Sequence, residues 1–195
     1  MKTYNNLYYF MSSMGNLTIA WRKAREDKTS HKDVAEFEKN LELNLLNLHT
    51  ELENKTYKPL PLFNFVLRDP KTRVISKSDF RDRVVHHAII NVIKPIFEPR
   101  FMYDSCANQK KKGTLFALKR FNKFMRKVSN PKTESGFCLK ADIKKYFNNV
   151  DHQKLIEIVE RKIKDKEVIW LIKQILNNTA ELFFFGGANE PKACL

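Results

Sequence analysis

The stretch Lys140-Ala141-Asp142-Ile143-Lys144-Lys145-Tyr146-Phe147, continued by Asn148-Asn149-Val150-Asp151-His152, decides how this chain reads. Phe137, Leu139 and Ala141 alternate there with Cys138, Lys140 and Asp142. That period of two marks a strand with one apolar face, and it ends on an acid. Asp151 then precedes Leu155, Ile158 and Val159, which is the spacing of a helix capped by Asp151. A carboxylate at a strand end is well placed to hold a divalent cation, because hard cations take carboxylate oxygens beside phosphate oxygens and water. Nucleotidyl transfer needs such a metal to activate the attacking oxygen and neutralise the triphosphate. Read alone, Asp142 is more simply an acid that closes a strand.

Upstream, the chain is mostly helical in pattern. Ser30 and Asp33 resemble an N-terminal cap and its acidic N3 residue. Val34, Phe37, Leu41, Leu45, Leu48 and Leu52 then form one apolar stripe, predicting a six-turn helix that ends near Asn54-Lys55. After Pro59 and Pro61 the period changes. Phe63, Phe65 and Leu67 read as a strand, Asp69-Pro70 as a turn, and Arg73-Val74-Ile75-Ser76 as the returning strand, with Lys71 and Arg73 at the tip. A helix is expected from about Asp79 to Phe97, with Val85, Ala88, Ile89, Val92 and Ile96 on its apolar face and Pro95 kinking it or ending it early. Residues 99–113 read as a loop. Thr114 reads as the cap of a helix carrying Leu118, Phe121, Met125 and Val128, with lysines and arginines on its other faces. Beyond Asp151 a second helix carries Val168, Leu171, Ile172, Ile175 and Leu176, and the apolar run from Ala180 has no pattern that places it. Helices and short hairpins in mixed order predict an α+β fold. Five glycines are too few for a turn-rich all-β one.

Charge supplies the first functional signal. The 195 residues carry a formal net charge of +14, with a pI near 9.7. Residues 1–60 are nearly neutral, with nine basic and eight acidic side chains, so almost all of the excess lies downstream. Between Arg100 and Lys132 ten basic residues face a single acid, Asp104. Such a field attracts polyanions and suits contact with a phosphate backbone. Cys106, Cys138 and Cys194 have no CxxC spacing and are odd in number, as expected of reduced cytoplasmic thiols. No apolar run approaches the roughly 18 residues of a membrane span, and the polar residues within the first fifteen make a poor signal peptide. Adjacent His86 and His87 cannot share a helix face, while His31, His49 and His152 lack metal spacing.

In this order the motifs resemble the reverse transcriptases of bacterial and phage retroelements, those of diversity-generating retroelements and group II introns above all. Asp142 to His152 resembles their first palm motif. Arg68-Asp69-Pro70-Lys71-Thr72-Arg73-Val74-Ile75 resembles their fingers hairpin, Phe80 to Ala88 the helix after it, and Lys112-Gly113-Thr114 a further shared loop. The match runs from about Trp21 to Leu176. It implies the fingers and the start of the palm of a right-hand polymerase. Residues 1–60 would be an N-terminal helical region, 61–135 the fingers, and 136–195 a partial palm.

The resemblance also implies roles. Asp142 would be the first metal-binding carboxylate, joined by the backbone carbonyl of Ile143, with Mg²⁺, or Mn²⁺ in its place, as cofactor. Phe147 would lie beneath the incoming sugar and exclude a 2′-hydroxyl, a role for which Tyr146 is a rival by one position; core packing is the plainer reading of Phe147. Lys71 and Arg73 would clamp the triphosphate of a deoxynucleotide, although without the family context they read as a solvated basic hairpin. Lys110, Lys111 and Lys112, with Lys119, Arg120 and Lys123 of the following helix, would touch the backbone of RNA template or DNA primer. Arg83 and His87 would also face the template.

The chain departs from the family pattern in two places. It contains no Asp-Asp pair and hence no Tyr-x-Asp-Asp hairpin, so the carboxylates of a two-metal site are incomplete. Ser105-Cys106-Ala107-Asn108-Gln109 also lacks the arginine that relatives often carry near Gln109. The expected function is therefore a reverse transcriptase fragment, truncated, split or frameshifted before that hairpin and inactive alone. It would be completed by a C-terminal polymerase half or an accessory subunit. A non-catalytic RNA- or DNA-binding protein derived from the same fold is the alternative, and an assembly subunit of another polymerase a third.

Overall fold

A computed structural model describes residues 2–178 except Lys71, Lys132 and Lys145, and only the backbone of Asn148. The expectations for Lys71 and for the tail from Ala180 fall outside the described residues. The fold is helix-rich with one antiparallel β-hairpin, in keeping with the α+β expectation. Two compact units divide it, one built from residues 1–92 and 152 onward, the other from Ile93–Asp151. The residues after Asp151 join the N-terminal helices.

The first unit opens with α1 (Tyr8–Ser12) and α2 (Met14–Arg25), where the Ser13 side chain accepts from the Asn16 N–H at 3.3 Å and caps α2. The apolar stripe from Val34 to Leu52 buries as expected, with Val34, Leu48 and Leu52 fully enclosed. It lies on two helices, however: α3 (Lys32–Lys39) and α4 (Leu41–Glu53). Asn40 (φ −127°, ψ 47°) leaves helical geometry, and the Asn44 amide donates to the freed Phe37 carbonyl at 2.8 Å. The cap of α3 is His31, and no Ser30 cap is formed.

The hairpin pairs β1 (Phe63–Leu67) with β2 (Arg73–Lys77) in the register Phe63↔Lys77 and Leu67↔Arg73. Helix α5 (Phe80–Phe97) follows and runs on through Pro95, so the expected early end does not occur. The chain leading into β1 is pinned to α5 by buried Asp82, which accepts from the Tyr57 hydroxyl and the Leu60 N–H, both at 2.8 Å. Burial pushes the Asp82 carboxyl above its ordinary value, against these two hydrogen bonds. Phe37 meets Phe80 edge-on at 5.2 Å and joins α3 to the start of α5.

Helices α7 (His152–Glu160) and α8 (Lys166–Leu176) complete this unit. On α7 the buried side chain is Ile156, while Ile158 is exposed. Residue Asp165 joins α8 to the start of the chain. One of its oxygens caps α8 through the N–H groups of Glu167 and Val168. The other accepts from Leu7 and Tyr8 at the start of α1. A short parallel bridge between Tyr4 and Ile163 runs beside this junction.

The second unit takes the end of α5, a 3-10 turn (Glu98–Arg100), a loop, and α6 (Thr114–Val128). Gly113 occupies the cap position and Thr114 is the first helical residue. No residue of α6 is buried, including the apolar Leu118, Phe121 and Val128. The expected strand over 137–141 is absent. Phe137 is 99 % and Leu139 92 % exposed, and no other strand among the described residues lies alongside to complete a ladder. Alternation supplies the face of a strand, but the strand itself forms only with a hydrogen-bonding partner. A 3-10 turn, Tyr146–Asn149, closes the unit. No helix among the described residues is long and apolar enough to cross a membrane.

Candidate functional site

Asp142 and Ile143 lie on the irregular segment before the Tyr146–Asn149 turn, and both side chains are exposed. The turn is tied locally, with the Asn149 amide donating to the Lys144 carbonyl at 3.1 Å. Tyr146 and Phe147 meet edge to face at 5.2 Å. Phe147 is 87 % exposed, so core packing does not explain it. A divalent cation would find the Asp142 carboxylate and the Ile143 carbonyl here, oxygen donors of the right kind. They are too few: no group of three or more His, Cys, Asp or Glu that could hold a metal occurs among the described residues. The described residues do not by themselves fit the metal.

Arg73 belongs to the other unit. It opens β2 opposite Leu67, with its side chain in solvent. At the far end of the same strand Lys77 pairs with Asp33 at 2.8 Å. Arg83 on α5 binds the same Asp33 oxygen and lies over the Phe80 ring at 5.1 Å. Burial would raise the Asp33 carboxyl, but the Lys77 hydrogen bond and the charges of Arg83 and Lys77 outweigh it and hold the carboxyl below its ordinary value. Arg83 is thus a strut between α3 and α5. His87, a turn further along α5, is half-buried, and burial together with Lys28, Lys23 and Arg83 lowers its pKa.

The basic residues of the second unit divide into two kinds. Lys110, Lys111, Lys119 and Lys123 are exposed. Lys112 and Arg120 are engaged internally. Lys112 Nζ donates to the Tyr103 carbonyl at 2.6 Å and sits 4.9 Å from its ring. Arg120 grips both oxygens of Asp104, at 2.5 and 3.0 Å. Tyr103, Asp104, Asp82 and Asp165 carry no motif that marks a role in the sequence alone. The lone acid among ten bases was the one available signal for Asp104.

The fold thus presents an antiparallel hairpin next to α5 and, in the second unit, exposed lysines and an exposed acid ahead of the Tyr146–Asn149 turn. The chain belongs to the reverse transcriptase (RNA-dependent DNA polymerase) family, whose pattern matches residues 67–193. It is 22 % identical to protein YkfC of Escherichia coli (strain K12) over 184 residues, covering 93 % of this chain and 48 % of that protein. It is 28 % identical over 131 residues to the group II intron-encoded protein LtrA of Lactococcus lactis subsp. cremoris, covering 64 % of this chain and 20 % of LtrA. The putative COX1/OXI3 intron 1 protein of Saccharomyces cerevisiae (strain ATCC 204508 / S288c) is 22 % identical over 178 residues, or 88 % of this chain and 20 % of that protein. The chain thus spans about half the length of YkfC and a fifth of the other two.

Proposed function

We propose that these residues supply the fingers and first palm segment of an RNA-directed DNA polymerase and do not extend a primer by themselves. The family match over residues 67–193, which takes in β2, α5, α6 and Asp142, is the observation that carries this reading. RNA template and DNA primer would lie along the exposed lysines of the second unit, with His87 a further contact. Lys71 and Arg73 would hold the deoxynucleotide triphosphate, and Phe147 would exclude a ribose. Asp142 would be the first of several carboxylates, the others coming from a C-terminal polymerase half.

Purified residues 1–195 should bind RNA but show no primer extension with Mg²⁺ or Mn²⁺. Adding the palm and thumb of a relative, fused or in trans, should restore extension. In that completed enzyme Asp142→Asn should abolish extension while leaving RNA affinity within about twofold, because the change is nearly isosteric and removes only a charged oxygen donor. Full activity with Asn at 142 would overturn the catalytic role and favour the non-catalytic nucleic-acid-binding reading. Extension by residues 1–195 alone would overturn the claim of incompleteness.

A further inference from the structure

The loop before α6 folds back on that helix through Tyr103 and Asp104. The Arg120 guanidinium lies 5.0 Å from the Tyr103 ring centroid and 4.8 Å from that of Phe124. Its Nε and Nη2 donate to the two oxygens of Asp104. Lys112 steadies Tyr103 from the carbonyl side. Asp104 is the one acid between Arg100 and Lys132. The hydrogen bond from Arg120 holds its carboxyl below the ordinary value, and the charges of Arg120, Lys112 and Lys123 add to the effect.

A carboxylate offering two oxygens to a guanidinium fork adopts the geometry in which a phosphodiester binds the same fork. Stacking on two rings keeps the guanidinium oriented whether or not the acid is present. The pair is partly open to solvent, with side-chain exposures of 37 % for Asp104 and 24 % for Arg120. Exposed ion pairs add little stability, so exchanging one anion for another here costs little. We propose that Arg120 is a phosphate-binding fork which Asp104 occupies in the free chain and which a nucleic-acid phosphodiester takes over on binding. This rests on the nucleic-acid reading above and adds an internal competitor to it. Asp104 lowers affinity for isolated anions, while a polyanion that also releases counterions at the neighbouring lysines displaces it.

The test uses the full chain and a short fluorescein-labelled single-stranded RNA of mixed sequence, followed by fluorescence anisotropy. Asp104→Asn should tighten binding about 3–5-fold, the scale of one exposed ion pair removed from competition. Arg120→Lys keeps the charge and loses the fork. In that background Asp104→Asn should shift affinity by less than about twofold, because the fork for which Asp104 competes is gone, and a difference between the two backgrounds beyond about twofold marks coupling of the pair. Circular dichroism melts establish that each variant is folded. An equal gain in both backgrounds would overturn the proposal, because Asp104 would then act only through net charge. No gain in either would overturn it as well. Displacement of RNA from the Asp104→Asn chain by inorganic phosphate, beyond chloride at equal ionic strength, would assign the fork to a free anion and overturn the phosphodiester assignment. A wild-type chain that fails to bind RNA at low salt would instead remove the underlying nucleic-acid reading.

Discussion

Replacing Asp165 by alanine should loosen both ends of the first unit at once. Its carboxylate accepts from Leu7 at 2.7 Å and Tyr8 at 3.0 Å, and from Glu167 at 3.0 Å and Val168 at 3.3 Å. These are the free N–H groups at the starts of two helices, α1 and α8. A lost cap costs about 1 kcal/mol, within a range of about 0.5–2. Two caps held by one nearly buried side chain, whose donors cannot all turn to water, should cost roughly 2–4 kcal/mol. For a chain of this size that lowers Tm by roughly 4–16 °C. Both tryptophans, Trp21 and Trp170, belong to this unit, and Trp170 lies edge-on to Tyr8 at 6.3 Å. Urea unfolding followed by tryptophan fluorescence therefore reports on the junction and not on the basic unit. Asp165→Asn keeps one carbonyl oxygen and can serve one helix end, so about half of the loss is expected. A loss under about 1 kcal/mol for the alanine variant would refute the reasoning, because the four donors would then have found other partners.

Three further outcomes follow from the placement of charged groups. Alanine at both Lys110 and Lys111 should reduce the slope of log affinity against log salt by about 1.4, two single-strand phosphate contacts, in RNA titrations; an unchanged slope would remove these lysines from the interface. In a completed enzyme Arg73→Ala should lower kcat/KM for deoxynucleotides roughly 10–100-fold, the scale of one charge-assisted contact, and an undiminished value would assign Arg73 to the solvent. The lowered carboxyl of Asp33 contributes stability that is present above its unfolded value of about 3.9 and lost as pH falls through its folded value. Thermal melts should therefore drop below about pH 4 in the wild type and drop less in Asp33→Asn; matching profiles would show that the Lys77–Asp33–Arg83 contact does not stabilise the fold.

The sequence shows an element best where its signal is local. The stripe from Val34 to Leu52 buries as its spacing requires, but the break at Asn40 is invisible because the spacing continues unchanged across it. Helices α1 and α2 escaped notice because their buried residues include small or polar ones, Ser12, Ala20 and Ala24, which make a faint pattern. The hairpin was legible to within a residue, since its partner strand lies only a short turn away. Asp165 shows the limit most plainly. Its cap on α8 could have been read from Asp165-Lys166-Glu167, but its bonds to Leu7 and Tyr8 span more than 150 residues.

The same distinction separates the two halves of the candidate site. Asp142 stands out by residue type and by its neighbours, yet the strand meant to carry it needs a partner, and none is present among the described residues. Phe137, Leu139 and Phe147 therefore stand in solvent. In the basic unit the sequence counted ten cations as alike, and the structure separates them. Lys112 and Arg120 are turned inward to fasten a loop, while Lys110, Lys111, Lys119 and Lys123 remain exposed to a ligand. A count of charge gives the sign of the partner. Which charges can respond to it depends on where one acid, Asp104, comes to rest.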